Sequence, residues 1–213
     1  MPERSPDRFR DRRDAGRALG LRLAGLGVRR PLVLGLARGG VVVAHEVALA
    51  TEGRLDVLAV RKLGAPAQPE LAIGAVASGG GRALNTGLIE RLGVDLRHVV
   101  EAAARESADL AARERDYRGG RPPLDPAGQP VVLVDDGLAT GATMRAAVAG
   151  VRTRRPGSLT VAVPVAAPDT AAELRPAVDE LVCLCVPDLF MAVGDWYEEF
   201  DPVEDEQVRR LLS

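Results

Sequence analysis

The sequence predicts an α/β protein, a three-layer sandwich in which a mainly parallel sheet is covered by helices on both faces. Short apolar runs recur at 32–36, 55–60, 131–134, 160–165 and 180–186. Stretches of helical length separate most of them. Strands that alternate with helices belong to parallel sheets, whose strands read as continuous apolar runs because both faces are buried.

Each element has its own signal. Residues 11–26 carry Ala15, Leu19, Leu23 and Leu26 at spacings of four and three behind a charged turn. That is one face of an amphipathic helix. A Gly-rich turn follows the 32–36 strand and leads into 41–50, apolar and of helical length. Beyond 55–60 the periodicity stops. Pro66, Pro69 and Gly79-Gly80-Gly81 punctuate a run in which only 72–77 and 82–84 read as short strands. Residues 95–117, rich in Ala, Arg and Glu, form the longest helix, stopped by Gly119-Gly120 and Pro122-Pro123. A strand at 131–134, a helix at 141–154, a strand at 160–165, a helical segment at 169–175 and a strand at 180–186 complete the alternation. The length of 213 residues suits one domain with a core over about 30–186. A small cap over about 187–213, to which the first helix contributes, closes it.

Composition narrows the function classes. A formal net charge of −2 lacks the footprint of a general nucleic-acid binder. Lys62 is the single lysine among 28 basic residues. Four of the six aromatics (Phe190, Trp196, Tyr197, Phe200) crowd near the C-terminus. Cys183 and Cys185 stand two apart in a β-like run, nearly 7 Å from each other on a strand. That is too far for an unstrained disulfide, so they read as small buried hydrophobes in a reducing compartment. His45 and His98 have no Cys or His neighbours at ligand spacing, whereas a carboxylate-bound magnesium stays open. Residues 2–8 lack the apolar core of a signal peptide. No apolar run approaches the ~20 residues of a membrane span. The default is cytoplasmic.

The chemistry concentrates in VVLVDDGLATGATM, residues 131–144. A buried strand ends in two carboxylates, Asp135 and Asp136. It turns through Gly137, Leu138, Ala139 and Thr140, and Gly141, Ala142 and Thr143 open a helix. Ligands of open α/β sheets sit at the carboxyl ends of strands, and a helix start offers unpaired N–H groups to phosphate. Thr140 and Thr143 add hydroxyls. Two carboxylates beside an anion site suit a ligand with hydroxyls or magnesium next to its phosphate, and a phosphorylated ribose is such a ligand. The plain alternative is a strand–turn–helix with two solvated aspartates. A Walker A loop is excluded, since no Gly-Lys-Ser/Thr follows the turn.

This stretch resembles the phosphoribosyl pyrophosphate (PRPP) signature of type I phosphoribosyltransferases. The resemblance implies a five-stranded parallel core and extends over roughly residues 30–190. It implies that Asp135 and Asp136 hold the ribose hydroxyls and magnesium, directly or through water. Gly137 and residues 139–143 would then cradle the 5′-phosphate. The loop Ala37-Arg38-Gly39-Gly40 would grip pyrophosphate, in a place where the family often carries a non-proline cis peptide. Its alternative is a tight glycine turn with a surface arginine. Arg61 and Lys62 would lie on a mobile loop that closes and neutralises the leaving pyrophosphate. A solvated Arg–Lys pair at a strand end is the other reading there.

The run from Val186 to Tyr197 resembles the hood of purine members, with Phe190 stacking on a base and Asp195 as a polar contact. Trp196, Tyr197 and Phe200 read equally well as core or subunit contacts. Purine members place a lysine after the strand matching 160–165; here Pro164, Val165, Ala166 and Ala167 stand there. The acceptor is therefore unassigned. The arginines at 8, 10, 12, 13, 17 and 22, interleaved with Asp7, Asp11 and Asp14, read as a solvated helix face, with homodimer contact or RNA as minor uses. The leading function is transfer of a phosphoribosyl group from magnesium–PRPP to a nitrogen nucleophile with release of pyrophosphate. A non-catalytic PRPP- or nucleotide-sensing protein of the same fold is the rival. A magnesium phosphatase fits poorly, because its chemistry wants Asp-x-Asp.

Overall fold

The computed structural model describes residues 8–66 and 68–213. Residues 2–7, on which the reading of the N-terminus rests, lie outside them, as does the side chain of His98. In chain order the elements begin with α1 (Arg12–Gly25), capped by Asp11, whose carboxylate accepts from the Asp14 N–H at 2.7 Å. β1 (Leu32–Leu36), α2 (Gly39–Thr51) and β2 (Arg54–Leu58) follow. Next come β3 (Val60–Ala65), β4 (Gln68–Ala77), β5 (Arg82–Leu84), α3 (Thr86–Arg91) and α4 (Leu96–Tyr117). The chain then runs through β6 (Pro130–Val134), α5 (Ala142–Thr153), β7 (Ser158–Val165), α6 (Pro168–Leu174), β8 (Glu180–Cys185) and α7 (Asp205–Leu212).

Five strands form one parallel sheet in the order β2-β1-β6-β7-β8. Every residue of β1 is buried, as a central strand covered on both faces requires. On one face α1 and α2 pack Leu19, Leu23, Val43 and Val47 against Val33, Val132 and Val134. On the other, Met144, Val148 and Val151 of α5 and Leu174 of α6 cover Leu34, Leu133, Leu159 and Val161. Each such side chain contributes roughly 1.5–3 kcal/mol on burial. The three-layer expectation holds.

The run without periodicity is a second sheet, antiparallel, in the order β3-β4-β5. Its core is Leu63, Ile73 and Val76 against Ile89, Val99, Ala103 and Leu110 of α3 and α4. Here the expectation of a mobile loop at Arg61 and Lys62 is corrected: both lie within β3, paired with Val76 and Ala75. Register shifts around Gly64 break the alternation that would have revealed the strand. The two sheets are joined by a buried charge cluster. Arg118 Nε donates to Asp56 at 2.6 Å and Nη2 to Glu114 at 3.0 Å. Glu114 accepts in turn from the Ala59 N–H at 2.6 Å and from the Ser78 hydroxyl.

The C-terminal residues divide. The Phe9 N–H donates to the Trp196 carbonyl and the Glu198 N–H to the Phe9 carbonyl, each at 2.8 Å. Phe9, Tyr197, Ala15 and Phe200 thereby form a small core. Beyond it, Val203 and then Val208 and Leu212 of α7 leave this cap and pack on Val41, Val57 and Tyr117. Ala15 of α1 belongs to that small core. Cys183 and Cys185 are free and half-buried, and burial pushes the Cys183 thiol up to about 11. Among the described residues, no helix is long and apolar enough to cross a membrane.

Candidate active site

The two segments that carry chemistry meet at the carboxyl ends of β1 and β6. The β6 strand ends at Val134, and the turn that follows is pinned from outside. The Leu138 N–H donates to the Val165 carbonyl at 2.9 Å, and the Leu138 carbonyl accepts from the Ala167 N–H at 2.8 Å. The Thr170 hydroxyl donates to the Ala139 carbonyl at 2.5 Å, and Arg145 Nη2 to the Thr140 carbonyl at 2.8 Å. Gly141 adopts φ +66, a left-handed conformation open to glycine. The carbonyls are thus spent on the scaffold. Among the described residues, no hydrogen bond uses the N–H groups of Ala139, Thr140, Gly141, Ala142 or Thr143. Five amides at a helix start make an anion cradle.

The loop after β1 packs directly on the aspartates. A Cβ at Gly39 would run into the Asp136 carboxylate, and one at Gly40 would lie 2.7 Å from the Val134 carbonyl and 2.8 Å from Asp135 Cα. The Ala37–Arg38 peptide bond is cis, and the Ala37 N–H donates to the Leu58 carbonyl at 3.0 Å. The N–H groups of Arg38, Gly39 and Gly40 also have no acceptor among the described residues.

Asp135 and Asp136 differ in surroundings. Burial, and then the charge of Asp136, hold the Asp135 carboxyl well above the usual carboxylate range, although part of the residue keeps solvent contact. Asp135 Oδ1 accepts from the Asp136 N–H at 2.9 Å. Asp136 is paired with a residue that the charge pattern had placed on a solvated face. Arg12 Nε donates to Asp136 Oδ2 at 2.7 Å, with the two side chains only 11% and 16% exposed. The same guanidinium lies 3.8 Å from the Phe200 ring centroid and donates to the Asp201 carbonyl at 2.8 Å. The Tyr197 hydroxyl donates to the Asp136 carbonyl at 2.6 Å, and burial raises its pKa, keeping that donor protonated. For Arg12 the solvated-face reading is corrected, and Tyr197 is a core residue.

The site is thus a strand–turn–helix with two carboxylates and a row of free amides, with a second amide loop packed against it. A model of the phosphoribosyl transferase domain matches residues 15–199. The chain belongs to the phosphoribosyl transferase family. A solved structure of a Thermus thermophilus protein is 48% identical, with a TM-score of 0.82 over 96% of this chain and 97% of that one. Proteins of Mycobacterium tuberculosis strains CDC 1551 and H37Rv, both called "Putative phosphoribosyl transferase", are 43% identical over 205 residues. That match takes in 96% of this chain but 46% of theirs, so the chain spans about half the length of these curated relatives. A hypothetical protein of Neisseria gonorrhoeae, solved with bound ppGpp, shares the fold at a TM-score of 0.54 and 13% identity.

Within the phosphoribosyl transferase fold, the other expected residues are scattered. Arg38 lies 3.5 Å from Asp205 and 4.0 Å from Glu204, both near the start of α7. Arg61 pairs with Glu106 of α4 at 2.6 Å. Alternation along β3 puts Lys62 on the opposite side of that sheet, the side on which Val60 packs with α5. The two cations therefore do not share a wall. Phe190 is half-buried between exposed Leu189 and Met191. Asp195 is exposed, and its carbonyl accepts from Arg8 Nε at 2.7 Å. No motif spacing pointed to Arg12 or Tyr197; their partners lie far away along the chain.

Proposed function

We propose that this chain binds magnesium–PRPP at the junction of the two loops and transfers its phosphoribosyl group to a nitrogen nucleophile. The observation that carries this is the row of unused amides from Ala139 to Thr143 immediately behind Asp135 and Asp136. The amides, with Gly137 and the Thr140 and Thr143 hydroxyls, would hold the 5′-phosphate, and the two carboxylates the ribose hydroxyls. The N–H groups of the Ala37-Arg38-Gly39-Gly40 loop and the Arg38 guanidinium would hold pyrophosphate. In the reaction the C1–O bond to pyrophosphate breaks, its electron pair leaving with pyrophosphate, and a C1–N bond forms. The proton lost by the nitrogen passes to solvent. Arg38 and Arg61 would neutralise charge as it develops on the leaving group, with Lys62 approaching from the α5 side.

Among the described residues no third Asp, Glu, His or Cys joins Asp135 and Asp136 as a metal group, and two carboxylates fit magnesium shared with substrate oxygens. A bound magnesium would supply charge neutralisation on the pyrophosphate. The acceptor, a nucleobase or related amine, would approach from the side of Phe190 and Asp195. We read the protein as cytoplasmic, with no nucleic-acid or membrane partner and with self-association as a homodimer. A calorimetric titration with PRPP, with and without magnesium, tests the donor site; absence of binding would overturn it. Pyrophosphate release across a panel of bases and amines tests the transfer. Binding without release from any acceptor would make the chain a PRPP sensor instead of an enzyme.

A further inference from the structure

Beside the Arg38 loop lies a cavity of about 130 Å³, several times the ~30 Å³ that one water takes in the liquid. Its polar wall is cationic. Arginines line it from three separate elements: Arg38 after β1, Arg61 on β3 and Arg113 on α4, with Tyr117 beside Arg113. The remaining wall is small or apolar. Among the described residues, no carboxylate lines the space.

Arg113 is held there from behind. Its Nη2 donates to both oxygens of Asp205, at 2.9 and 3.0 Å, and the Tyr117 hydroxyl donates to Asp205 at 2.7 Å. The same carboxylate lies 3.5 Å from Arg38 Nη1. One carboxylate of α7 thus fixes two guanidiniums and a phenol without entering the cavity. Burial and the bond to Asp205 push the Tyr117 phenol up to about 12, so it stays a donor. A guanidinium has five N–H donors, and the bonds of Arg113 to Asp205 both come from Nη2, with the Tyr117 ring 5.6 Å away. Free donors on preorganised guanidiniums recognise phosphate in preference to a diffuse anion.

We propose that Arg113 is a further cation of the pyrophosphate end of the site, oriented by Asp205 and taking a phosphate group of pyrophosphate. This rests on the assignment of pyrophosphate to the Arg38 loop. It explains why a helix of the second sheet carries a guanidinium to the carboxyl end of the first. Removing one charge-assisted hydrogen bond to a phosphate weakens binding by about tenfold or more.

The test is calorimetric titration of the full chain with inorganic pyrophosphate and magnesium. The proteins are the parent, R113Q, R113K, R38Q and R209Q. Arg209 pairs with Asp116 and Glu206 away from the cavity and serves as the control. R113Q should weaken binding at least tenfold, R113K should restore part of it, and R209Q should match the parent. The lysine rescue separates a charge that meets the ligand from a side chain that only steadies α7. If the parent binds pyrophosphate and R38Q weakens it while R113Q stays within twofold of the parent, this inference falls and the pyrophosphate assignment stands. If the parent binds no pyrophosphate, both fall.

Discussion

Arg12 Nε lies 2.7 Å from Asp136 Oδ2, joining the first helix to a carboxylate 124 residues later. The pair is nearly closed to solvent, and Phe200 covers the guanidinium. Breaking a buried pair by removing one partner leaves the other charge uncompensated, at about 3–5 kcal/mol. R12M should therefore unfold at lower urea, with a loss of about 3 kcal/mol, and should bind PRPP more weakly because Asp136 is no longer held. R12K should fall between, since an ammonium lacks the flat face over Phe200 and the two-directional fork. An R12M chain as stable as the parent would show that the pair contributes nothing.

The contact between the two loops makes a second, steric prediction. At Gly40 an added methyl meets backbone on two sides, the Val134 carbonyl and Asp135 Cα. Neither can swing away as a side chain would. G40A should cost about 1–3 kcal/mol and push the β1 loop off the aspartates. PRPP affinity should then fall by more than the loss of stability accounts for in urea unfolding. Unaltered affinity in a folded G40A would detach this loop from the donor site.

These two residues mark how far the sequence could be read. The five parallel strands and the 131–144 motif were legible because their signals are local: continuous apolar runs, two carboxylates, a turn of small residues. β3 was not, since Gly64 interrupts its alternation and its pairing partners lie farther along the chain. Arg12 was not either. Helical spacing shows that it shares a turn with charged neighbours, and says nothing of an aspartate on a distant strand end. Phe200 and Tyr197 stood out only as a crowd of aromatics, and the packing of Phe9 with them decided their role as core.

The charge cluster under the second sheet gives a prediction remote from the donor site. Arg118, 7% exposed in its side chain, neutralises both Asp56 and Glu114. Burial raises the pKa of Glu114, against the hydrogen bonds from Ser78 and Ala59 and the charge of Arg118. R118M should lose about 3–5 kcal/mol, measured by urea unfolding, because two carboxylates are left buried without their cation. A loss under about 1 kcal/mol would mean that water or rearrangement replaces the guanidinium.

Asp135 should trade stability for binding. Burial first, and the Asp136 charge second, raise its folded-state pKa well above the ordinary 3.8. A carboxyl raised in this way binds more protons folded than unfolded, so stability falls as pH climbs from about 4 through the folded pKa. That cost is complete only above the folded pKa. D135N keeps the size of the side chain and an oxygen to accept from the Asp136 N–H, but it never ionises. It should melt higher than the parent at pH 7, by about 2–4 °C for each kcal/mol recovered in a chain of this size. The gap should close toward pH 4, where the parent's carboxyl is itself protonated. PRPP binding should fall at pH 7 despite the higher Tm, because the neutral amide no longer offers a charged acceptor to the ribose hydroxyls. Melting curves that run parallel from pH 4 to pH 8 would show that the ionised Asp135 costs the fold nothing.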